Sequence, residues 1–429
     1  MERQTRRGFL GAAAALASGR ALGAAERVVV GVIGCGGMGS NHLRLLAARK
    51  DAEIAHVCDP DSERLARAAR SVEAADRPAP RTTGDLRRVL EDRAVDAVFI
   101  ATPDHWHAPA ALLALEAGKH VYVEKPCSHC IREGRMMVEA ARRARKVVQV
   151  GTQSRSAAHV REAVQALREG IIGDVLVAKA WNSQKRANIG RARPGDPPKT
   201  VDYDLWVGPA PFVPFQPNRF HYTWHWWRHF GTGDMGNDGV HDLDIARWGL
   251  GVDVHPSTVT AAGTKLFFDD DQQFPDTQYV VFDYPSGPGG RHVQLVYEQR
   301  IWSPHYQEGH ENGNAFYGTK GMMVLGKKDG WQVVGEGNRP GARGAGALSV
   351  PDHHTDFFQA IRTGRMPRAD IAEGHLSATL CHLGNLAAHV GRVVRFDPRT
   401  ERVAGDREAD SLVGRRYRPG HWAAPREGA

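Results

Sequence analysis

Glu124-Lys125-Pro126 sets an ammonium group between a carboxylate and a proline that keeps the backbone before it extended. A lysine aimed into a partly dry cleft binds and polarises a substrate hydroxyl, and burial draws its pKa toward neutrality. The segment Gly231 to Asp244, Gly-Thr-Gly-Asp-Met-Gly-Asn-Asp-Gly-Val-His-Asp-Leu-Asp, holds the second candidate. His241 there suits a proton carrier, because imidazole titrates near working pH. Asp244, three residues further along a helix, is spaced to orient it. Each motif alone also fits a solvated turn or a helix-surface pair, so their placement decides.

A glycine-rich turn supplies that placement. Gly34-Cys35-Gly36-Gly37-Met38-Gly39 closes the apolar run Val28 to Ile33, and Asp59 follows Gly39 by twenty residues. Strand, glycine turn, helix start and spaced acid are the form of a dinucleotide-binding βαβ unit. The glycines permit the turn, the approach of the pyrophosphate and close helix packing, and the helix N-terminus holds the phosphates. Asp59 accepts from a ribose 2′-hydroxyl and repels a 2′-phosphate, so NAD is favoured over NADP. Arg64 could hold a phosphate but is expected to face solvent on the next helix.

The surrounding pattern over 26–150 alternates strand and helix. Strands are expected over 54–58, 94–101, 120–124 and 147–150, and helices over 62–72, 109–117 and 131–145. This is a doubly wound, mostly parallel sheet of the α/β class. Its ligand belongs at the carboxyl strand ends, where Thr102-Pro103-Asp104-His105-Trp106-His107 and Glu124-Lys125 both stand. Thr102, Pro103, His105, Glu124 and Lys125 are expected to shape the cofactor end. Beyond Gly151 a helix over 158–168 precedes β-prone stretches at 175–181, 257–266, 279–284, 293–301 and 322–325, then helices over 354–362 and 374–391. An α+β second domain with an open, mostly antiparallel sheet follows. The division expected is an export segment 1–25, a nucleotide-binding domain 26–150, a substrate and oligomerisation domain 151–395, and a tail 396–429, of which 415–429 is a polar arm or disordered.

At 429 residues the chain exceeds one ordinary core. Residues 1–25 contribute +3 of the formal +7, and no Lys/Arg cluster interleaves with aromatics, which argues against a nucleic-acid surface. Arg6-Arg7 before a short, weakly apolar stretch and small residues up to Ala25 read as a twin-arginine export signal. Periplasmic or secreted location is therefore expected, with no membrane span. Among five cysteines, Cys127 and Cys130 have C-x-x-C spacing without a second pair to complete a zinc site.

These motifs, together with Gly151-Thr152-Gln153, Trp206-Val207-Gly208-Pro209, Phe316-Tyr317-Gly318-Thr319-Lys320-Gly321 and the C-terminal helix pattern, resemble the exported branch of the Gfo/Idh/MocA oxidoreductases. The resemblance implies hydride transfer with NAD(P) at a secondary alcohol of a sugar, cyclitol or derivative, in a homo-oligomer such as a dimer or tetramer. It places Lys125 and His241 as catalytic groups and His107, Gln153 and Asp244 beside the substrate. The family's usual Asp before the histidine is Asn237 here, with Asp238 next to it, so the common Asp–His relay is altered and both join the catalytic candidates.

Arg219 to His229 is densely aromatic. Trp224, Trp226 and Arg228 suit a carbohydrate ring, or form a packed loop core or an oligomer interface. His221, His225 and His229 lack an H-E-x-x-H pattern, and no metal is expected. Two other functions compete: a glycoside hydrolase acting by transient oxidation and elimination, and a non-catalytic carbohydrate-binding homologue.

Overall fold

The computed structural model describes residues 27–426; the export segment expected at 1–25 lies outside the described residues. The first domain runs β1 (Val28–Ile33), α1 (Gly37–Ala47), β2 (Ala52–Cys58), α2 (Ser62–Glu73), β3 (Arg81–Thr83), α3 (Leu86–Glu91), β4 (Ala97–Ile100), α4 (Asp104–Glu116), β5 (His120–Val123), α5 (Ile131–Ala144) and β6 (Val148–Val150). Its strands form one parallel sheet in the order β3-β2-β1-β4-β5-β6. Val30, Val32, Val98, Phe99, Ile100, Val121 and Val123 have no exposed surface, which is why these strands read as continuous apolar runs. The order reverses between β1 and β4, the switch point where strand ends open a crevice. Register makes the strand ends flush: Ile33 pairs with Cys58 and Ile100, and Ile100 with Val123. The residues that follow each of them therefore leave the sheet along one edge.

The sequence pattern starts the fourth helix at Pro109, but α4 begins at Asp104 with Pro109 inside it. Proline has no N–H for the carbonyl four residues back. The guanidinium of Arg415 donates to that oxygen, on His105, at 2.6 Å. An internal proline is tolerated because a distant side chain completes the helix.

The second domain contains α6 (Ala158–Arg168), β7 (Val175–Asn182), α7 (Tyr203–Val207), α8 (Val240–Leu250), β8 (Thr258–Thr264), β9 (Thr277–Tyr284), β10 (Val293–Arg300), β11 (Asn312–Gly318), β12 (Met322–Gly326), β13 (Gly330–Gly335), β14 (Arg339–Gly344), α9 (Val350–Thr363), α10 (Ile371–Val390), β15 (Val394–Asp397), β16 (Arg402–Val403) and α11 (Arg407–Ser411). The sheet order is β14-β13-β12-β11-β7-β10-β9-β8-β15-β16, antiparallel throughout except for β7 beside β10. Leu243, Ala246 and Leu250 of α8 and Leu380, Leu383 and Leu386 of α10 pack with Phe282, Leu295, Tyr297 and Phe316 on one face. Strands β11, β13 and β14 escape sequence detection because Asn, Gly and Arg occupy positions where apolar alternation would show, and β15 and β16 because they are only four and two residues long.

Two boundaries differ from expectation. Helix α9 buries Phe357 and Phe358 in the first domain's core, with Phe357 edge-on to Phe99 at 5.5 Å. The segment 396–429 is no free tail: Phe396 pairs with Val403, α11 follows, and the chain returns to set Trp422 beside Trp106, ring centroids 5.8 Å apart. At the junction, His255 and His375 each place Nε2 at 2.9 Å from Glu401 Oε1, and Arg135 of α5 occupies the same oxygen. No helix among the described residues is long and apolar enough to cross a membrane.

Candidate active site

The glycine turn has the shape of a phosphate cradle. Gly34 sits at φ +90 against the Ala101 backbone, and a Cβ on Gly39 would lie 1.8 Å from the Gly34 carbonyl oxygen. Helix α1 starts at Gly37 with Gly36 as N-cap and no side-chain cap, leaving its first N–H groups to an anion. Gly37 has open space around it and Met38 is exposed, so both face outward at the start of α1. Asp59 at the end of β2 accepts from Cys35 N at 2.8 Å and Asp61 N at 2.9 Å, fixing its carboxylate at the crevice wall. Arg64 departs from expectation: its Nη1 lies 3.0 Å from where a Cβ on Gly36 would stand, so it lines the crevice. Thr102 and Pro103 line it too, and Thr102 Oγ1 is buried without a partner. A dinucleotide fits this set of donors and glycines.

Beyond the cradle stands a charged pair of residues on a braced backbone. Glu124 Oε1 lies 3.0 Å from His42 Nε2 and 3.3 Å from Gln153 Nε2, while His42 Nδ1 meets His354 Nε2 at 2.9 Å. Burial raises the carboxyl's pKa, but His42, Lys125 and His241 outweigh it and hold Glu124 at about 2. Lys125 Nζ donates to the Asn237 carbonyl oxygen at 2.6 Å. That carbonyl belongs to a wide π turn, Met235–Gly239, which runs directly into α8. Asn237 Nδ2 in turn donates to Asp234 Oδ1 at 3.0 Å, and Asp234 is also held by Asn182 at 2.7 Å and Arg186 at 2.9 Å.

His241 lies on the first turn of α8, four residues after the carbonyl that holds Lys125. Burial, then the charges of Lys327 and Lys125, lower its pKa to about 3 against the opposing pull of Asp238 and Glu124. The ring is therefore neutral at working pH: it can accept a proton, but in the unliganded site it is a weaker base than the free imidazole expected from the sequence. Asp238 is held as an anion by Lys327 at 3.2 Å and by Arg186 and Asn312, so it acts on His241 through charge. Lys327, at the end of β12, also reaches Asp242 Oδ2 at 3.3 Å, where burial pushes the carboxyl up to about 7. Replacing Lys327 by methionine is expected to raise the pKa of His241. The acid limb of kcat/KM, set by the inactive imidazolium, then moves to higher pH; a limb that stays in place contradicts this electrostatic account.

Several candidates sit elsewhere than their motifs suggest. His105 is fully buried inside α4, with Nε2 3.0 Å from the Trp206 carbonyl oxygen, and does not reach the crevice. His107 commits both ring nitrogens, to the carbonyl oxygens of Pro126 at 2.7 Å and Thr102 at 2.9 Å, tying the two strand-end loops together instead of meeting substrate. Gln153 spends its amide on Tyr122 and Glu124. Asp244 points away from His241 and forms a two-pronged ion pair with Arg155 at 2.9 and 3.0 Å, joined by Ser377. Asp244→Ala removes one of the two carboxylates on the buried Arg155 guanidinium, which keeps Glu373 at 3.0 Å, and is expected to cost about 1–3 kcal/mol in urea unfolding. KM should stay near wild type in the folded fraction; a rise in KM without loss of stability would restore Asp244 to the substrate site.

Trp224 and Trp227 pack with Trp206 and Phe230 into a small core, and Trp226 is buried with its indole N–H unpaired. Arg228 stacks over Phe274 at 5.2 Å and donates to the Gln273 carbonyl oxygen. The aromatic segment is mainly a packed loop core. Of its histidines, His221 pairs with Asp61 at 3.1 Å, and His225 takes the Tyr222 carbonyl oxygen at 2.5 Å. Sequence reasoning missed Asp234, Arg186, Asn182 and Lys327. Asp234 lay in the motif already under scrutiny; Asn182 ends β7, Arg186 lies in the loop after it and Lys327 in the turn after β12, none of them in a motif.

A doubly wound domain with a glycine cradle, braced at its crevice by an open antiparallel sheet, defines a two-domain dinucleotide-binding protein. The NAD-binding Rossmann model of the oxidoreductase family matches residues 28–152, and the model of its C-terminal α/β domain matches 177–289 and 346–423. The chain belongs to the Gfo/Idh/MocA oxidoreductase family. It is 32% identical over 261 residues to inositol 2-dehydrogenase 2 of Saccharopolyspora erythraea, covering 60% of this chain and 63% of that protein. A glycosyl hydrolase family 109 protein of the same organism is 35% identical over 163 residues, covering 37% of this chain and 35% of that protein. The chain thus spans less than two thirds of either relative. The WlbA dehydrogenase from Bordetella pertussis, in complex with NADH and UDP-GlcNAcA, has the same fold, with a TM-score of 0.66, 20% identity, and 86% of this chain and 99% of that chain covered.

Proposed function

We propose that the protein is an exported NAD-dependent oxidoreductase that moves a hydride to or from a secondary hydroxyl of a sugar or cyclitol. The carrying observation is the 2.6 Å contact of Lys125 Nζ with the Asn237 carbonyl oxygen. It brings an ammonium of one domain to the helix start that bears His241 of the other. A bound nicotinamide supplies the hydride acceptor or donor. Lys125 hydrogen-bonds the substrate oxygen and stabilises it as the proton leaves. A ring nitrogen of His241 takes that proton while the carbinol hydrogen departs with its electron pair, leaving a ketone. The relation to an inositol dehydrogenase supports this substrate class.

Arg6-Arg7 supports export of a folded protein through a twin-arginine route to the periplasm or beyond. Free NAD is not recycled there by ordinary dehydrogenases, so the cofactor travels bound and is restored within the same site. Denaturing freshly dialysed protein is expected to release close to stoichiometric nicotinamide nucleotide; traces alone overturn retention. Matching a glycosyl hydrolase family 109 protein favours a second reading, in which transient oxidation enables elimination of an aglycone. Incubation with sugars, cyclitols and aryl glycosides separates the two: reduced nicotinamide absorbance marks the dehydrogenase, and released aglycone marks the hydrolase. The open sheet face, with Val177, Tyr279, Val281, Val296 and Tyr317 at least partly exposed, supports a homo-oligomer, checked by light scattering.

A further inference from the structure

The outer wall of the dinucleotide crevice comes from the far end of the chain. Trp422 lines it opposite Gly36, Asp59, Arg64 and Asp85. Three anchors hold the arm that delivers this ring. Arg415 pairs with buried Glu133 at 2.6 Å and completes the α4 carbonyl ladder at His105. Tyr417 donates its hydroxyl to Glu133 at 2.9 Å. Arg418 bonds Asp204 at 2.6 Å and, through its N–H, the Pro209 carbonyl oxygen at 2.8 Å. Ala423, buried just after the tryptophan, seats the arm in the first domain's core. Trp422 is itself fixed between the Arg87 guanidinium, 4.4 Å above its ring, and Trp106.

We infer that Trp422 is an adenosine-binding residue and that the C-terminal arm is a wall of the cofactor site. This assignment rests on the dinucleotide reading above. Asp59 and Arg64 mark where the ribose and its base lie, because they flank the β2 end of the crevice where the acid of a βαβ unit meets the ribose. With Arg87 over its ring and His421 stacked at 5.2 Å, the indole is held rigidly, and the apolar surface it leaves on the crevice is one a purine packs against irrespective of its edge groups. A parallel sheet alone leaves the adenosine end open to water. Here the end is walled, so nucleotide leaves only after the arm yields, and retention outside the cytoplasm gains a structural cause.

The experiment loads the full-length protein with NADH, chases with excess NAD and follows nicotinamide fluorescence. Trp422→Ala keeps all three anchors and is expected to speed NADH release about tenfold to a hundredfold, the loss typical of one base–aromatic stack. Trp422→Phe, which keeps a stacking face, should stay much closer to wild type and guards against a folding artefact. Release that is unchanged or slower in Trp422→Ala overturns the assignment, the slower case meaning that the indole blocks the adenosine space. Wild-type protein that takes up no NADH overturns the dinucleotide reading itself and the arm's role with it.

Discussion

Lys125→Met is expected to lower kcat on the best sugar or cyclitol by about a hundredfold to a thousandfold, the cost of one preorganised donor to developing oxyanion charge. Methionine keeps the length and apolar stem, so the crevice retains its shape. NADH binding should hardly change, because the cradle is built from the α1 N-terminus and Asp59, away from the ammonium. Lys125→Arg is not a safe control, since a planar fork cannot reproduce a point charge seated on the Asn237 carbonyl oxygen. Steady-state kinetics beside a nucleotide titration check the claim. Equal loss of NADH affinity and kcat would move Lys125 from chemistry to cofactor binding.

His241→Asn should have the second large effect, a fall in kcat of about a hundredfold to ten-thousandfold, the range for a lost general base. Asparagine keeps hydrogen bonding but cannot accept the proton. In the wild type, burial with Lys327 and Lys125 lowers the imidazole pKa to about 3. A group with a lowered pKa is deprotonated, and competent as a base, everywhere above that value. The wild-type acid limb therefore lies well below neutrality in the unliganded enzyme, and kcat/KM is flat around pH 7. His241→Asn should remove that limb. A variant that retains both rate and limb would place proton transfer on another residue, with Asp238 the next to test.

The first domain was open to reading because its physics is local. Val28 to Ile33, Gly39 and Asp59 each announce a role within one βαβ unit, and flush strand ends followed from the doubly wound pattern. Lys125 and His241 were legible for the same reason: each sits in a short motif at an element boundary. What failed depended on partners distant in sequence. Pro109 reads as a helix start unless Arg415 is known to take the His105 carbonyl oxygen. Asp244 reads as a partner for His241 by spacing, but the binding partner is Arg155, on a different segment. His107 looks exposed in a loop until α4 is extended back to Asp104. Lys327 follows a short strand and bears no motif, yet it sets the charge around His241. The C-terminal arm looks like a polar tail because its anchors, Glu133 and His105 in the first domain and Asp204 and Pro209 in the second, are far away in sequence.

The central claim is that one substrate oxygen meets the Lys125 ammonium and the His241 ring together. A crystal structure of the protein with NAD and a bound sugar or cyclitol tests it most directly. The expected result is a secondary hydroxyl about 3 Å from both Lys125 Nζ and a His241 ring nitrogen, its carbon facing the nicotinamide. A ligand held by only one of these groups, or a lysine and imidazole turned apart with the cofactor in place, contradicts the account.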